Sequence, residues 1–202
     1  MKELLFVYNP HSGKGRIGKS LSDILCVFTD AGYNVTVHPT ACAKDGEIFI
    51  KEHAKEYQFI AVGGGDGMLH ELFNGLIGSG ADVPCGYIPA GTINDFASSL
   101  QIPKSPVKAA KLAVSGNYKN VDAGLWNGGI FSYVAAFGMF TDVGYSTDQK
   151  MKNAIGPFAY YFDVLKEMDI KNLHNSSVHT VLTVNGEKYE DDFIFALAGN
   201  TR

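Results

Sequence analysis

Five residues, Gly63-Gly64-Gly65-Asp66-Gly67, constrain this chain more than any other segment. They follow Phe59-Ile60-Ala61-Val62, a short apolar run, and precede Leu69, Leu72, Phe73, Leu76 and Ile77, spaced i, i+3, i+4, i+7, i+8. That pattern is a buried strand, a glycine turn and an amphipathic helix. In an open α/β sheet, ligands bind at the carboxyl ends of the strands. Glycines there let the backbone approach a phosphate, and the N–H groups opening the helix favour an anion. A carboxylate in the same loop repels that anion. Asp66 is therefore suited to holding a Mg²⁺ that bridges to phosphates, or to polarising an attacking hydroxyl. The turn points to phosphoryl transfer rather than to binding alone.

The flanking segments extend the alternation. Leu4 to Tyr8, Tyr33 to His38, Phe59 to Val62 and Cys85 to Ile88 read as strands. Helices are expected on the stripe Ile17, Leu21, Ile24, Leu25, Phe28, from an Asp45 cap toward Tyr57, through Ile77, over Asn94 to Leu100, and over Pro106 to Val114. Alternating strands and helices predict a parallel sheet with helices on its faces. The pattern changes near Asn120. Val121 to Trp126 and Ile130 to Phe137 read as strands with no helix between them, and a helix is expected over residues 154–167. Val178 to Val184 and Lys188 to Ala198 then flank Asn185-Gly186, a strong hairpin signal. The expected organisation is an α/β domain over residues 1–122 and a mostly antiparallel β domain over residues 123–202.

Composition excludes several classes. With 46% hydrophobic residues in 202, the chain has material for a sizeable core, and a net charge of -4 lacks the basic field of a nucleic-acid partner. Cys26, Cys42 and Cys85 read as reduced thiols without zinc-ligand spacing. His38, His53, His174 and His179 also lack metal-ligand spacing. No apolar stretch approaches the ~20 residues of a membrane span, and no signal-peptide pattern opens the chain. The expectation is a soluble cytoplasmic protein that touches a membrane only peripherally.

Three loops follow three of the expected parallel strands, so they can meet at one sheet edge. They are Asn9-Pro10-His11-Ser12-Gly13-Lys14, the Gly63–Gly67 turn, and Pro89-Ala90-Gly91-Thr92-Ile93-Asn94-Asp95-Phe96-Ala97. The first supplies hydroxyl, amide and backbone donors before a helix, without the spacing of a Walker A loop. In the third, Asn94 or Asp95 can cap a helix.

In this order the loops carry Asn-Pro-x-Ser-Gly, Gly-Gly-Asp-Gly-x-Leu-x-Glu-x-x-Asn-Gly and Pro-x-Gly-Thr-x-Asn-Asp-Phe-Ala, at Asn9–Gly13, Gly64–Gly75 and Pro89–Ala97. The set resembles the diacylglycerol kinase catalytic-domain family, in particular its bacterial lipid-kinase branch related to sphingosine and ceramide kinases. Val121-Asp122, Phe137-Gly138, Gly156 with Tyr160, and Leu197 to Asn200 also look like that family. The resemblance implies an N-terminal α/β domain like that of NAD kinases and phosphofructokinases, a C-terminal β-sandwich, and an active site between them. It implies ATP as phosphate donor, Mg²⁺ as cofactor and a lipid hydroxyl, of diacylglycerol or similar, as acceptor at a membrane surface. Asn9, Pro10, His11, Ser12, Gly13, Thr40, Gly64, Gly65, Gly67, Met68, Leu69, His70, Glu71 and Thr92 match its nucleotide-binding positions. Asp66 would lie beside the γ-phosphate, and Asp95 would orient the acceptor.

Two departures qualify the resemblance. Met68 stands where the family usually has threonine, which removes a hydroxyl expected to contact phosphate. The chain ends at Ala198-Gly199-Asn200-Thr201-Arg202, where relatives continue into a segment that supplies an Asp-centred Mg²⁺ site and completes the sandwich. The family Mg²⁺ site would then lie past Arg202, leaving Asp66 as the metal candidate. An incomplete sandwich exposes sheet edges and invites homo-oligomers. The competing expectations are a nucleotide-binding truncated homologue without catalysis and a NAD-kinase-like activity. The aromatic run Phe158, Tyr160, Tyr161 and Phe162 reads as core packing.

Overall fold

The computed structural model describes residues 1–92, 94–132, 134–138 and 177–200. Two compact units divide the chain: Met1–Tyr133 with Asn200–Arg202, and Val134–Gly199. The expected helix over residues 154–167, the Phe158–Phe162 aromatic run, Gly156 with Tyr160, and His174 lie outside the described residues.

The first unit opens with β1 (Lys2–Tyr8), α1 (Arg16–Lys19), α2 (Leu21–Asp30), β2 (Tyr33–Pro39) and α3 (Asp45–His53). It continues through β3 (Phe59–Gly64), α4 (Asp66–Ser79), β4 (Cys85–Pro89), α5 (Asp95–Ser99) and α6 (Pro106–Ala113). Four strands form one parallel sheet in the order β2-β1-β3-β4. The two central strands are buried from Leu4 to Tyr8 and along all of Phe59 to Gly64. Such continuous apolar runs are what a sheet covered on both faces requires.

Side chains alternate between the two faces, as a strand's period of two dictates. Leu5, Val7, Ile60, Val62 and Tyr87 pack with Ile50, Leu69, Leu72 and Phe73 from α3 and α4. Leu4, Phe6, Tyr8, Phe59, Ala61 and Ile88 pack with Ile17, Ile24 and Phe28 and with Ala109 and Ala110 of α6. Each fully buried large apolar side chain contributes about 1.5–3 kcal/mol. These two half-cores therefore hold the carboxyl ends of β1, β3 and β4 in fixed register.

Local details differ from the sequence reading. The stripe from Ile17 to Phe28 is two helices that break at Ser20 (φ -107°, ψ 9°). Asp45 does not cap α3. Its carboxylate accepts from Ala41 N–H at 2.7 Å and pairs with His38 Nε2 at 3.2 Å. Glu71 of α4 serves that helix end instead, accepting from Lys44 N–H at 3.1 Å and Glu47 N–H at 3.3 Å. The unit closes with a short hairpin, β5 (Gly124–Trp126) and β6 (Gly129–Phe131), turning at Asn127-Gly128 with φ of 49° and 78°. Asn-Gly tolerates two successive positive φ values, as this turn demands. Asn200 Nδ2 donates to the carbonyls of Asp122 at 2.6 Å and Ser132 at 3.0 Å.

In the second unit, β7 (Val134–Gly138) pairs antiparallel with β10 (Phe195–Gly199). The expected Asn185-Gly186 hairpin joins β8 (Val178–Val184) to β9 (Glu187–Phe193). The run expected as one strand from Lys188 to Ala198 is thus two, with different partners. The run expected from Ile130 to Phe137 is likewise divided between β6 and β7.

Candidate active site

Every loop of interest leaves the carboxyl edge of the parallel sheet. Backbone bonds tie them together. Asn9 N–H donates to Gly63 O at 2.9 Å, Thr40 N–H to Tyr8 O at 2.9 Å, and Ala90 N–H to Gly64 O at 2.7 Å. The three loops then abut where side chains are missing. A Cβ on Gly13, whose φ is +56°, would overlap the Ala90 carbonyl oxygen. A Cβ on Gly91 would lie 2.6 Å from Gly65 Cα, and one on Gly64 would lie 3.5 Å from Ser12 Oγ. Glycine at 13 and 91 is what permits the approach.

Within the first loop, Asn9 Oδ1 accepts from His11 N–H at 2.8 Å, closing a tight turn. Ser12 is half-buried beside Gly64, and His11 is exposed. Thr40 is a buried polar residue, 8% exposed. In the second loop, Gly65 precedes α4 in extended conformation, and Asp66 opens the helix. Asp66 Oδ2 accepts from Asn94 N–H at 3.2 Å. Burial first, then the charge of Asp95, raise the Asp66 carboxyl above its ordinary range. Burial likewise raises Asp95. Two carboxylates thus share one edge with glycine-rich backbone.

The third loop is organised by Asn94, which sits in the left-handed region (φ 54°, ψ 52°). Its side chain does not cap α5. Its Oδ1 accepts from Gly91 N–H at 2.9 Å, and its Nδ2 donates to Gly91 O at 2.6 Å. Tyr87, 6% exposed on β4, reaches the same amide: its hydroxyl lies 3.2 Å from Asn94 Oδ1 and 3.1 Å from Gly64 O.

The structure therefore brings together Asn9, Pro10, His11, Ser12, Gly13, Gly64, Gly65, Asp66 and Gly67 with Gly91, Thr92, Asn94 and Asp95, and hydrogen-bonds Thr40 to the base of the first loop. Other candidates from the same motif turn elsewhere. Met68 and Leu69 are 5% and 2% exposed and belong to the core, so position 68 presents no polar side chain to the loops. A Cβ on Gly46 would overlap Met68 Cε, so α3 leaves room for this side chain. Both Glu71 oxygens bind backbone of the α3 start. His70 is exposed and lies against Asn74 of its own helix, 3.3 Å from its amide nitrogen.

Sequence reasoning missed Tyr87 and the orienting role of Asn94. A tyrosine in an otherwise apolar strand, two residues before a glycine turn, was the available signal, since a buried hydroxyl needs a partner. Among the described residues, no group of three or more His, Cys, Asp or Glu could hold a metal ion. Asp66 and Asp95 do supply hard oxygen donors of the kind that bind Mg²⁺ alongside phosphates and water.

The model of the diacylglycerol kinase catalytic domain matches residues 3–126. The chain is 33% identical to a diacylglycerol kinase of Staphylococcus carnosus strain TM300, over 99% of this chain and 64% of that protein. It is 38% identical to a diacylglycerol kinase of Bacillus subtilis strain 168, over 84% of this chain and 56% of that protein. Among solved structures, a diacylglycerol kinase from Bacillus anthracis strain Sterne aligns with a TM-score of 0.73 at 27% identity, covering 99% of this chain and 64% of that one. The chain thus spans less than two thirds of the length of these relatives.

Proposed function

The chain belongs to the diacylglycerol kinase catalytic-domain family, and from that premise we propose that it takes part in transfer of the γ-phosphate of ATP to a lipid hydroxyl, of diacylglycerol or a similar acceptor. One observation carries this reading: three glycine-bearing loops abut at the carboxyl edge of the sheet, with Asp66 at the start of α4 and Asp95 beside it. In this reading residues 1–122 bind the nucleotide, and residues 123–202 contribute part of the lipid-kinase domain. Asn9 to Gly13, Thr40, Gly64 to Gly67 and Thr92 cradle the phosphates through backbone and hydroxyl donors. The lipid acceptor places the working protein at a membrane surface. Among the described residues, no helix is long and apolar enough to cross a membrane.

The chemistry follows from the groups present. The acceptor oxygen attacks the γ-phosphorus, the bond from that phosphorus to the β,γ-bridging oxygen breaks, and ADP leaves. Asp66, steadied by the Asn94 N–H at Oδ2, takes the proton of the acceptor hydroxyl. Burial and the Asp95 charge raise the proton affinity of that carboxyl, which suits a base. Asp95 orients the same hydroxyl. Mg²⁺ would sit at this carboxylate edge together with the nucleotide phosphates, where it would neutralise charge on the transferring group.

The test is transfer of labelled γ-phosphate from MgATP to diacylglycerol in mixed micelles, with NAD offered in parallel. Labelled phosphatidic acid, lost in Asp66→Asn with the fold intact, is the expected result. Undiminished transfer by that variant would overturn the role of Asp66, and labelling of NAD alone would overturn the lipid assignment. A second reading, nucleotide binding without transfer, is favoured by Met68, whose buried side chain leaves no hydroxyl at that position. It predicts ATP binding with no label in any acceptor.

A further inference from the structure

We propose that Tyr87 is a positioning residue for Asp66 and acts through Asn94; the proposal rests on the phosphoryl-transfer reading only for its kinetic consequence. The chain of contacts is continuous. The Asn94 amide binds Gly91 at both ends, N–H to Oδ1 at 2.9 Å and Nδ2 to O at 2.6 Å, so its orientation is settled by the backbone. Oδ1 therefore faces the Tyr87 hydroxyl as an acceptor, and Tyr87 must donate. That single proton is shared between Asn94 Oδ1 at 3.2 Å and Gly64 O at 3.1 Å. Burial, and after it the negative charge of Asp66, push the Tyr87 hydroxyl well above its ordinary range, so it remains a donor at every working pH.

The backbone explains why Asn94 needs holding. Its φ of 54° and ψ of 52° lie in the left-handed region, which asparagine tolerates better than most residues but does not prefer. In that conformation its N–H points at Asp66 Oδ2, 3.2 Å away. A return to the ordinary helical or extended region would turn the N–H away and release the carboxylate. Tyr87 grips the side chain from the floor of the sheet, and Gly91 grips it from the loop. The hydroxyl joins β3, through Gly64, to the residue that aims Asp66. Folding has a reserve, because Gly64 O also accepts from Ala90 N–H at 2.7 Å. Loss of the hydroxyl leaves that carbonyl satisfied.

The test uses the full chain and two readouts. Amide hydrogen exchange is followed at Gly91 and Asn94 in the wild type and in Tyr87→Phe, which keeps the ring. Exchange at both amides is expected to accelerate by about tenfold, the factor that one lost hydrogen bond carries, with the rest of the sheet unchanged. In the micelle assay, kcat is expected to fall by a similar factor while KM for MgATP stays put, since the lost contact aims the carboxylate rather than the phosphates. Asn94→Gly takes the left-handed backbone without a side chain, so Tyr87→Phe should cost nothing further in that background. Unchanged exchange at Gly91 and Asn94 would overturn the proposal, and so would an undiminished kcat loss in the Asn94→Gly background. If the wild type transfers no phosphate, the functional reading fails, and the exchange arm still decides whether Tyr87 holds Asn94.

Discussion

Gly13→Ala is the sharpest probe of the interlocked loops. Two separate costs meet at this position. Its φ of +56° and ψ of 39° are left-handed, which costs a residue with a Cβ about 1–2 kcal/mol. The new methyl would also overlap the Ala90 carbonyl oxygen and lie 3.0 Å from the carbonyl carbon. These are backbone atoms on a segment pinned by the Ala90 N–H to Gly64 O bond, so no side chain can rotate aside. Forcing such an overlap costs about 1–3 kcal/mol. The sum, about 2–5 kcal/mol, corresponds to a fall in Tm of about 5–15 °C for a chain of this size. Gly18→Ala is the control: it lies in α1 with φ outside the left-handed region and nothing within 4 Å of its Cβ. It should leave Tm level or raise it, because alanine is the better helix former by about 1 kcal/mol. The assay is thermal unfolding followed by circular dichroism, paired with binding of a fluorescent ATP analogue. If the first loop yields instead of the whole unit, Tm falls less and nucleotide affinity drops. A Gly13→Ala protein with wild-type Tm and wild-type nucleotide affinity would refute the interlock.

Three further expectations use other parts of the structure. Asp66 is raised in the fold, so its contribution is favourable below its ordinary value of 3.8 and is lost as pH rises through the raised folded value; Asp66→Asn should therefore melt above the wild type at pH 7, with the gap closing toward pH 3.5, and a variant less stable than wild type at pH 7 would contradict this. Burial pushes the half-buried Cys85 thiol up to about 11, while Cys26 and Cys42 are exposed; iodoacetamide at pH 8 should label those two in the native protein well before Cys85, whose labelling should speed up on unfolding, as mass spectrometry would report. Met68→Ala removes a core side chain and should cost about 2–5 kcal/mol in urea unfolding. Gly46→Ala overfills the same space, so the double variant should be less destabilised than the sum by about 0.5–3 kcal/mol; strict additivity would mean that the two residues do not compete for that space.

Much of this architecture is legible in the chain itself. Continuous apolar runs at Leu4 to Tyr8 and Phe59 to Val62, separated by helical stripes, require a parallel sheet covered on both faces, because each strand must bury both of its sides. The glycine turn at 63–67 and the two Asn-Gly hairpins are likewise local, since their backbone demands exclude most other residues; sequence reasoning placed strands on both sides of Asn127-Gly128 without naming the hairpin that the dipeptide signals. The three-loop edge could be inferred because chain direction alone places those loops together. What only the tertiary structure decided is where side chains spend their hydrogen bonds. Asp45 sits at a helix start yet binds His38 and Ala41, and that helix is capped by Glu71, 24 residues after Glu47. Met68 lies within the loop motif yet points into the core, because helical periodicity turns it toward α3. Asn94 binds backward to Gly91 and, through its N–H, to Asp66, while Tyr87 reaches it from the neighbouring strand. Local pattern specifies which residues enter an element. The partners of a polar group depend on distances across elements, and those exist only once the sheet has closed.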